Sequence, residues 1–175
     1  VTTISKKVFY ACPLLTTITI PKSVTTIDIS AFAKCEALTE VTFESDSQLN
    51  TIGKYAFKEC TALTTVTFEN GSELKTIGES AFDRCTALTE INIPASVTEI
   101  GRYAFQWCKE LTKITIPALV TTIGLFAFRG CGKLTDVIFE KGSQLNTIGN
   151  YAFDGCEKLT KITAPSDKHG LLKTH

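Results

Sequence analysis

"LNTIGKYAFKECTALTTVTFENGSE", Leu49 to Glu73, is a 25-residue phrase whose apolar periodicity changes twice. In "LTTVTF" (Leu63–Phe68), Val66 and Phe68 alternate with threonines, the pattern of a strand with one buried face. In "AFKEC", Phe57 and Cys60 stand three apart, which predicts one turn of α or 3₁₀ helix with both side chains inward. Gly53, directly after Ile52, marks backbone that needs either positive φ or a close approach by another segment.

The phrase recurs as "SAFDRC" at Ser80–Cys85, "YAFQWC" at Tyr103–Cys108 and "YAFDGC" at Tyr151–Cys156. Cysteines fall at 12, 35, 60, 85, 108, 131 and 156, always 23 or 25 residues apart. Aligning on them gives seven units with the frame (V/L)xxIGxxAFxxCxxLTxVTF. Two turn forms account for the two lengths: a short one ("IPKSV", "IPASV", "IPALV") and a long one ("FESDSQL", "FENGSEL", "FEKGSQL"). A period of this size predicts a solenoid, in which each unit buries its apolar side only against its neighbours. Pro21, Pro94, Pro117 and Pro165 follow the strand and end its ladder.

Stacking the units puts the seven cysteines in one internal column beside Phe9, Phe32, Phe57, Phe82, Phe105, Phe128 and Phe153. A reduced cysteine packs as a small hydrophobe, and burying each phenylalanine stabilises by about 2–3 kcal/mol. An odd number of cysteines cannot all pair within one chain, and parallel neighbours about 4.8 Å apart present their thiols side by side, poorly placed for disulfides. No CxxC or HxxxH spacing occurs, and both histidines (His169, His175) lie beyond the repeats. The cysteines are therefore expected to be core, with no metal or cofactor.

Composition narrows the function. The chain is 43% hydrophobic and 21% charged, as folded chains usually are. Its 18 basic and 18 acidic residues cancel, so no net field draws nucleic acid or anionic lipid. No apolar run is long enough to span a membrane, and no signal peptide opens the chain. Methionine is absent, so Val1 is not an initiator and the chain is read as processed or cut from a longer one. No nucleophile elbow or phosphate loop appears and the acids do not converge, so catalysis is not expected.

"SVTEIGRYAFQWCKELTKITIP" (Ser96–Pro117) and "TIGKYAFKECTALTTVTF" (Thr51–Phe68) resemble the BspA-like, or Treponema pallidum-type, leucine-rich repeats. The likeness covers Val1 to Pro165, with looser first units: "ISKKVFYAC" lacks the glycine and alanine, and "IDISAFAKC" carries Asp28. The resemblance implies a right-handed leucine-rich-repeat solenoid of about seven repeats, with a parallel β-sheet on the concave face and short helical or 3₁₀ turns on the convex side. It also implies a cell-surface or secreted protein acting in adhesion and protein binding, with a host-surface or extracellular-matrix protein as partner. The alternative is a structural or intracellular scaffold that spaces other domains. Residues 1–165 are read as the solenoid, a fragment of a longer array. Residues 166–175 form either a tail or the start of a degenerate eighth repeat. Uncapped ends add self-association through the ends as an expectation.

Departures from the repeat mark candidate contact residues. Trp107 stands where Glu59 and Arg84 stand in other units, and Leu119 replaces the serine of "PKSV". Leu125 replaces Lys54, Glu79 or Arg102, and Phe126 joins a column of Tyr55, Ser80, Tyr103 and Tyr151. These four belong to units five and six and are expected on the convex side or its rim, where apolar clusters anchor partners. The alternative surface is the outward side of the strands: Thr65, Thr67, Glu90, Asn92, Lys113, Thr115, Asp136 and Ile138. Such a threonine ladder also suits a solvated strand with no partner at all. Glu44, Glu69 and Glu140 in the long turns, with Asp46 and Glu73, match no calcium loop and are expected to be a solvated rim.

Overall fold

The computed structural model describes residues 1–165; the tail or eighth repeat expected at 166–175 lies outside them. In chain order the strands are β1 (Thr3–Ile4), β2 (Thr17–Ile20), β3 (Thr26–Ile27), β4 (Glu40–Phe43), β5 (Thr51–Ile52) and β6 (Thr65–Phe68). They continue as β7 (Thr76–Ile77), β8 (Glu99–Ile100), β9 (Lys113–Ile116), β10 (Thr122–Ile123), β11 (Asp136–Phe139), β12 (Thr147–Ile148) and β13 (Lys161–Thr163). Each repeat makes one coil of a parallel solenoid.

The two-residue strands form one seven-stranded parallel sheet, β1-β3-β5-β7-β8-β10-β12. Its register places the isoleucine of each two-residue strand, Thr-Ile in all but Glu99–Ile100, over the next, as Ile27 over Ile52 over Ile77. The longer strands form two separate three-stranded sheets, β2-β4-β6 and β9-β11-β13. The expected strand in every unit fails in the fourth. Glu90–Ile93 makes no ladder with β6 or β9, although Ile91 and Ile93 remain buried. Asn92, a poor strand former, stands there where Thr42, Thr67 and Thr115 stand in β4, β6 and β9.

The third side of each coil corrects another expectation: "AFxxC" is a run of turns, not a helix. Tyr55, Phe57 and Glu59 donate their N–H groups to Glu79, Ala81 and Asp83 of the next coil at 2.8–2.9 Å. Ala56, Lys58 and Cys60 donate back to Gly53, Tyr55 and Phe57 of their own coil at 3.1–3.2 Å. A helix would turn every N–H inward on its own segment; alternation leaves half of them to bind the neighbour.

This geometry moves the left-handed residues to unforeseen places. Tyr55 and Glu59 both have φ of 60°, and the equivalent pair recurs through Tyr103 with Trp107, then Phe126 with Gly130. A side chain in this region costs about 1–2 kcal/mol, so the intercoil bonds on either side must hold it there. Gly53, by contrast, serves close approach. A Cβ there would sit 2.5 Å from the carbonyl oxygen of Ile27 in the preceding coil.

Inside, the rings from Phe9 to Phe153 stack face to face with centroids 5.1–5.4 Å apart. Phe32, Phe57, Phe82, Phe105 and Phe128 are fully buried, as are Cys35 to Cys131 of the adjacent column. Phe9, Cys12, Phe153 and Cys156 in the end coils are half-buried.

Gly53→Ala is expected to destabilise the solenoid by about 1–3 kcal/mol, since backbone rather than a movable side chain blocks the new methyl. Gly132→Ala, with nothing within 4 Å of the added carbon, should stay within about 0.5 kcal/mol. Urea unfolding of the two variants checks the contrast.

Candidate functional site

The cysteine column is the most regular feature that could carry chemistry. Each thiol from Cys35 to Cys156 donates to the carbonyl of the phenylalanine one coil back, Cys35 to Phe9 through Cys156 to Phe128, at 3.0–3.3 Å. The same carbonyl accepts the backbone N–H of the cysteine in its own coil, as Phe32 does from Cys35 at 3.2 Å. Both lone pairs are thus engaged, and the thiol must keep its proton to play its part. Burial pushes the thiols of Cys35, Cys60, Cys85 and Cys108 above their ordinary range. Cys131 is raised by its interaction with Cys156 and by burial, and the same interaction holds Cys156 lower. A buried, protonated thiol is a poor nucleophile and a poor metal ligand. All seven cysteines are free, and among the described residues no group of three His, Cys, Asp or Glu side chains is arranged to hold a metal ion.

One buried acid departs from the repeat. Asp83 is only 4% exposed; its Oδ2 meets Lys58 Nζ at 3.1 Å, and its Oδ1 has no hydrogen-bond partner. Burial raises its pKa, against the opposing pull of Lys58. In the two preceding coils, Ala33 and Lys58 take its place, so the carboxylate is a local substitution rather than a column.

The four apolar candidates of units five and six do not form one protruding cluster. Trp107 is half-buried and lies across Gly130 of the next coil, where a Cβ would meet indole carbons at 2.3 Å. It covers the backbone of the next coil rather than standing as a free anchor. Phe126 stacks between Tyr103 and Tyr151, with centroids 5.5 and 5.3 Å away. The Arg129 guanidinium lies over the Phe126 ring at 4.9 Å and pairs with Asp154 at 3.0 Å. Leu125 adjoins this stack in sequence and is half-buried, while Leu119, 40% exposed, sits in the turn on the other side of β10. The structure adds Tyr103, Tyr151 and Arg129 to the residues singled out from sequence. The tyrosine column already pointed to the stack, but nothing in the repeat signalled the arginine. In units two to four the stack is broken, because Ser80 separates Tyr55 from Tyr103.

On the strand side, Glu40, Thr65, Glu90 and Lys113 are exposed, and Asp136 and Ile138 are half-buried. Thr67 and Thr115 are half-buried, and Asn92 is exposed beside the unladdered segment. Threonine hydroxyls just before these strands donate to the preceding coil, Thr39 to Thr16 and Thr64 to Thr39, at 3.0–3.1 Å. This column of hydroxyls, one position before the strand-face candidates, thus has a structural role. The long-turn glutamates have one too: Glu44 and Glu140 accept the backbone N–H of Lys22 and Ala118 at 3.0 and 3.1 Å.

A coil defined by Ile-Gly, Ala-Phe-x-x-Cys and Leu-Thr positions, repeated with in-register ladders, is the observation that decides the family. The model of the BspA type leucine-rich repeat region matches six copies, over residues 2–106 and 50–172. This chain belongs to the BspA-type leucine-rich repeat family. Its fold is similar to that of a leucine-rich repeat protein from Bacteroides ovatus, with TM-score 0.78 and 32% identity over 90% of this chain and 39% of that one. It is also similar to the T. pallidum leucine-rich repeat protein, with TM-score 0.72 and 29% identity over 85% of this chain and 69% of that one. The BspA-type chain therefore spans well under half the length of the B. ovatus protein. No curated protein matches it. Among the described residues no helix is long and apolar enough to cross a membrane.

Two outcomes follow from the buried groups. A thiol reagent applied to the native chain at pH 8 should modify Cys12 and Cys156 first and leave Cys35, Cys60, Cys85, Cys108 and Cys131 protected until denaturant is added; mass mapping of the labelled peptides shows which react. Asp83 binds a proton more tightly folded than unfolded, so it lowers stability progressively as pH rises above its unfolded pKa through its folded one. Asp83→Asn should therefore gain stability relative to the parent on going from pH 4 to pH 7, read as the change in the Tm difference between the two proteins.

Proposed function

We propose that this BspA-type array is a non-enzymatic protein-binding module of adhesin type, displayed at a cell surface or secreted, which takes its partner on the aromatic side of units five to seven. The observation that carries the reading is the unbroken Tyr103–Phe126–Tyr151 stack, with Arg129 over its central ring and Leu125 next in sequence, in a column that Ser30 and Ser80 interrupt in units two and four. Aromatic and arginine side chains are the usual anchors of protein interfaces, because they bury large area at small conformational cost. Family membership supports the interaction role, since solenoids of this kind present repeated, rigid surfaces. The geometry favours Leu125 and Phe126 over Trp107 and Leu119. Trp107 is committed to covering Gly130, and β10 separates Leu119 from the stack.

The test compares residues 1–175 with Leu125→Asn/Phe126→Asn for binding to immobilised extracellular-matrix proteins and to a host-cell surface extract. Asparagine tolerates the left-handed backbone of Phe126, so the fold should survive the change. Saturable binding that the double variant weakens by about tenfold or more, with unchanged circular dichroism, supports the reading. Equal binding by both proteins sinks it in favour of the strand side. No binding by either favours the spacer role.

A further inference from the structure

The zero net charge conceals an axial separation. Residues 28–100 carry 12 acidic and 5 basic side chains, whereas residues 101–161 carry 5 acidic and 8 basic ones. On the turn side, charges are largely consumed in pairs between consecutive coils: Lys54–Glu79, Lys58–Asp83, Arg129–Asp154 and Lys133–Glu110, at 2.6–3.1 Å. On the strand face they are not. Glu40, Glu90, Lys113 and Lys161 are exposed and make no ion pair among the described residues. The register sets Glu40 beside Thr65, and Lys113 beside Asp136 beside Lys161. The repeat alignment puts Glu90 between the two sets, in the unladdered fourth coil, so that the order along the face is Glu40, Thr65, Glu90, Lys113, Asp136, Lys161, one per coil from the second to the seventh.

That order is self-complementary when reversed. We infer that the strand face binds a second copy of this chain, antiparallel, about a two-fold axis between units four and five. Glu40 then faces Lys161 of the second copy, Thr65 faces Asp136, and Glu90 faces Lys113, each contact occurring twice. In the parallel arrangement like charges would meet instead, so the charge pattern selects the antiparallel one.

The shape permits the contact. Rings repeat at 5.1–5.4 Å on the turn side, and Phe43 and Phe68 on the strand side are 4.6 Å apart. The two sides of a coil therefore differ in spacing by under about 1 Å, so the face is a shallow arc that Glu and Lys side chains can span. Six coils of roughly 4.8 Å by four strand residues of roughly 3.3 Å give about 400 Å² per partner. That lies below a standard stable interface, so the dimer is weak, electrostatically driven and salt-sensitive.

The experiment is sedimentation velocity on residues 1–175 from about 5 to 500 μM, at low salt and in about 0.5 M NaCl. The parent should shift from monomer to dimer with concentration at low salt, and remain monomeric in high salt. Glu90→Lys, which creates two like-charge contacts, should weaken association by about thirtyfold or more; Glu90→Lys/Lys113→Glu should restore it to within about threefold. Glu40→Lys/Glu90→Lys and Lys113→Glu/Lys161→Glu should each stay monomeric alone and form a heterodimer when mixed. These residues are exposed, and circular dichroism verifies that each variant is folded. A parent that is monomeric throughout the low-salt range overturns the proposal, as does a dimer indifferent to Glu90→Lys. Leu125→Asn/Phe126→Asn lies on the other side of the coil and should leave self-association unchanged, so the failure of either reading is distinguishable from that of the other.

Discussion

The hydrogen bond from each Phe N–H to the alanine carbonyl of the next coil, 2.7–2.9 Å long at every interface from Phe9 to Phe128, is the constraint on which the rest of the solenoid depends. It holds the turn side at the coil spacing, and thereby sets the distance at which the phenylalanine rings stack. It also leaves the phenylalanine carbonyl pointing back toward its own cysteine, where the thiol of the following coil can reach it. A serine hydroxyl could make the same bond, but it would place a more strongly hydrated group in the apolar column. An alanine would pack there and leave the second lone pair unused. Cysteine meets both demands, which explains why a chain with no disulfide and no described metal cluster keeps one in every repeat.

The direction of these bonds divides the coil into sides with different tasks. The turn segment donates forward, from Phe57 to Ala81. The two strand sides donate backward, as Gly53 does to Ile27 and Thr64 to Thr39. Ion pairs reinforce the turn side between neighbours, whereas Glu40, Glu90, Lys113 and Lys161 on the strand face make none among the described residues. Exposed ion pairs contribute little to stability, so the turn-side pairs other than Lys58–Asp83, whose carboxylate is buried, matter mainly by removing free charge from that surface. The outer aromatic rings that stack on that side, Tyr103, Phe126 and Tyr151, lie in the last three units.

Much of this was legible in the sequence, and the failures have identifiable causes. The cysteine spacing gave the coil length, and the Leu-Thr-x-Val alternation gave the inward face of β2, β4, β6, β9 and β11. The turn side was misread as helical because Phe57 and Cys60 three apart suit a helical turn, and periodicity alone does not reveal where each N–H goes. The sequence left Gly53 between positive φ and a close approach; it serves the close approach, and positive φ falls instead on Tyr55 and Glu59, residues with no intrinsic liking for it. Asn92, one of the strand-face candidates and placed where other units carry threonine, coincides with the loss of the ladder in unit four. Trp107 read as exposed because its counterparts are charged; only the missing side chain of Gly130, one coil away, makes room for the indole. Such pairings are visible when two repeats are read against each other, not within either one.

The interruption at Glu90–Ile93 has a mechanical side. Under tension between its ends, a solenoid of this kind releases whole coils, each adding 23 or 25 residues of slack, roughly 80 Å when extended. Every other internal joint is stitched along the long strands as well as along the turns and the Thr-Ile pairs. The joints on either side of unit four lack the long-strand stitching. Pulled from both ends, the array would part there before its middle coils separated elsewhere, yielding two three-stranded halves on a tether instead of fraying evenly. A protein that links two moving surfaces would then have a built-in place to lengthen.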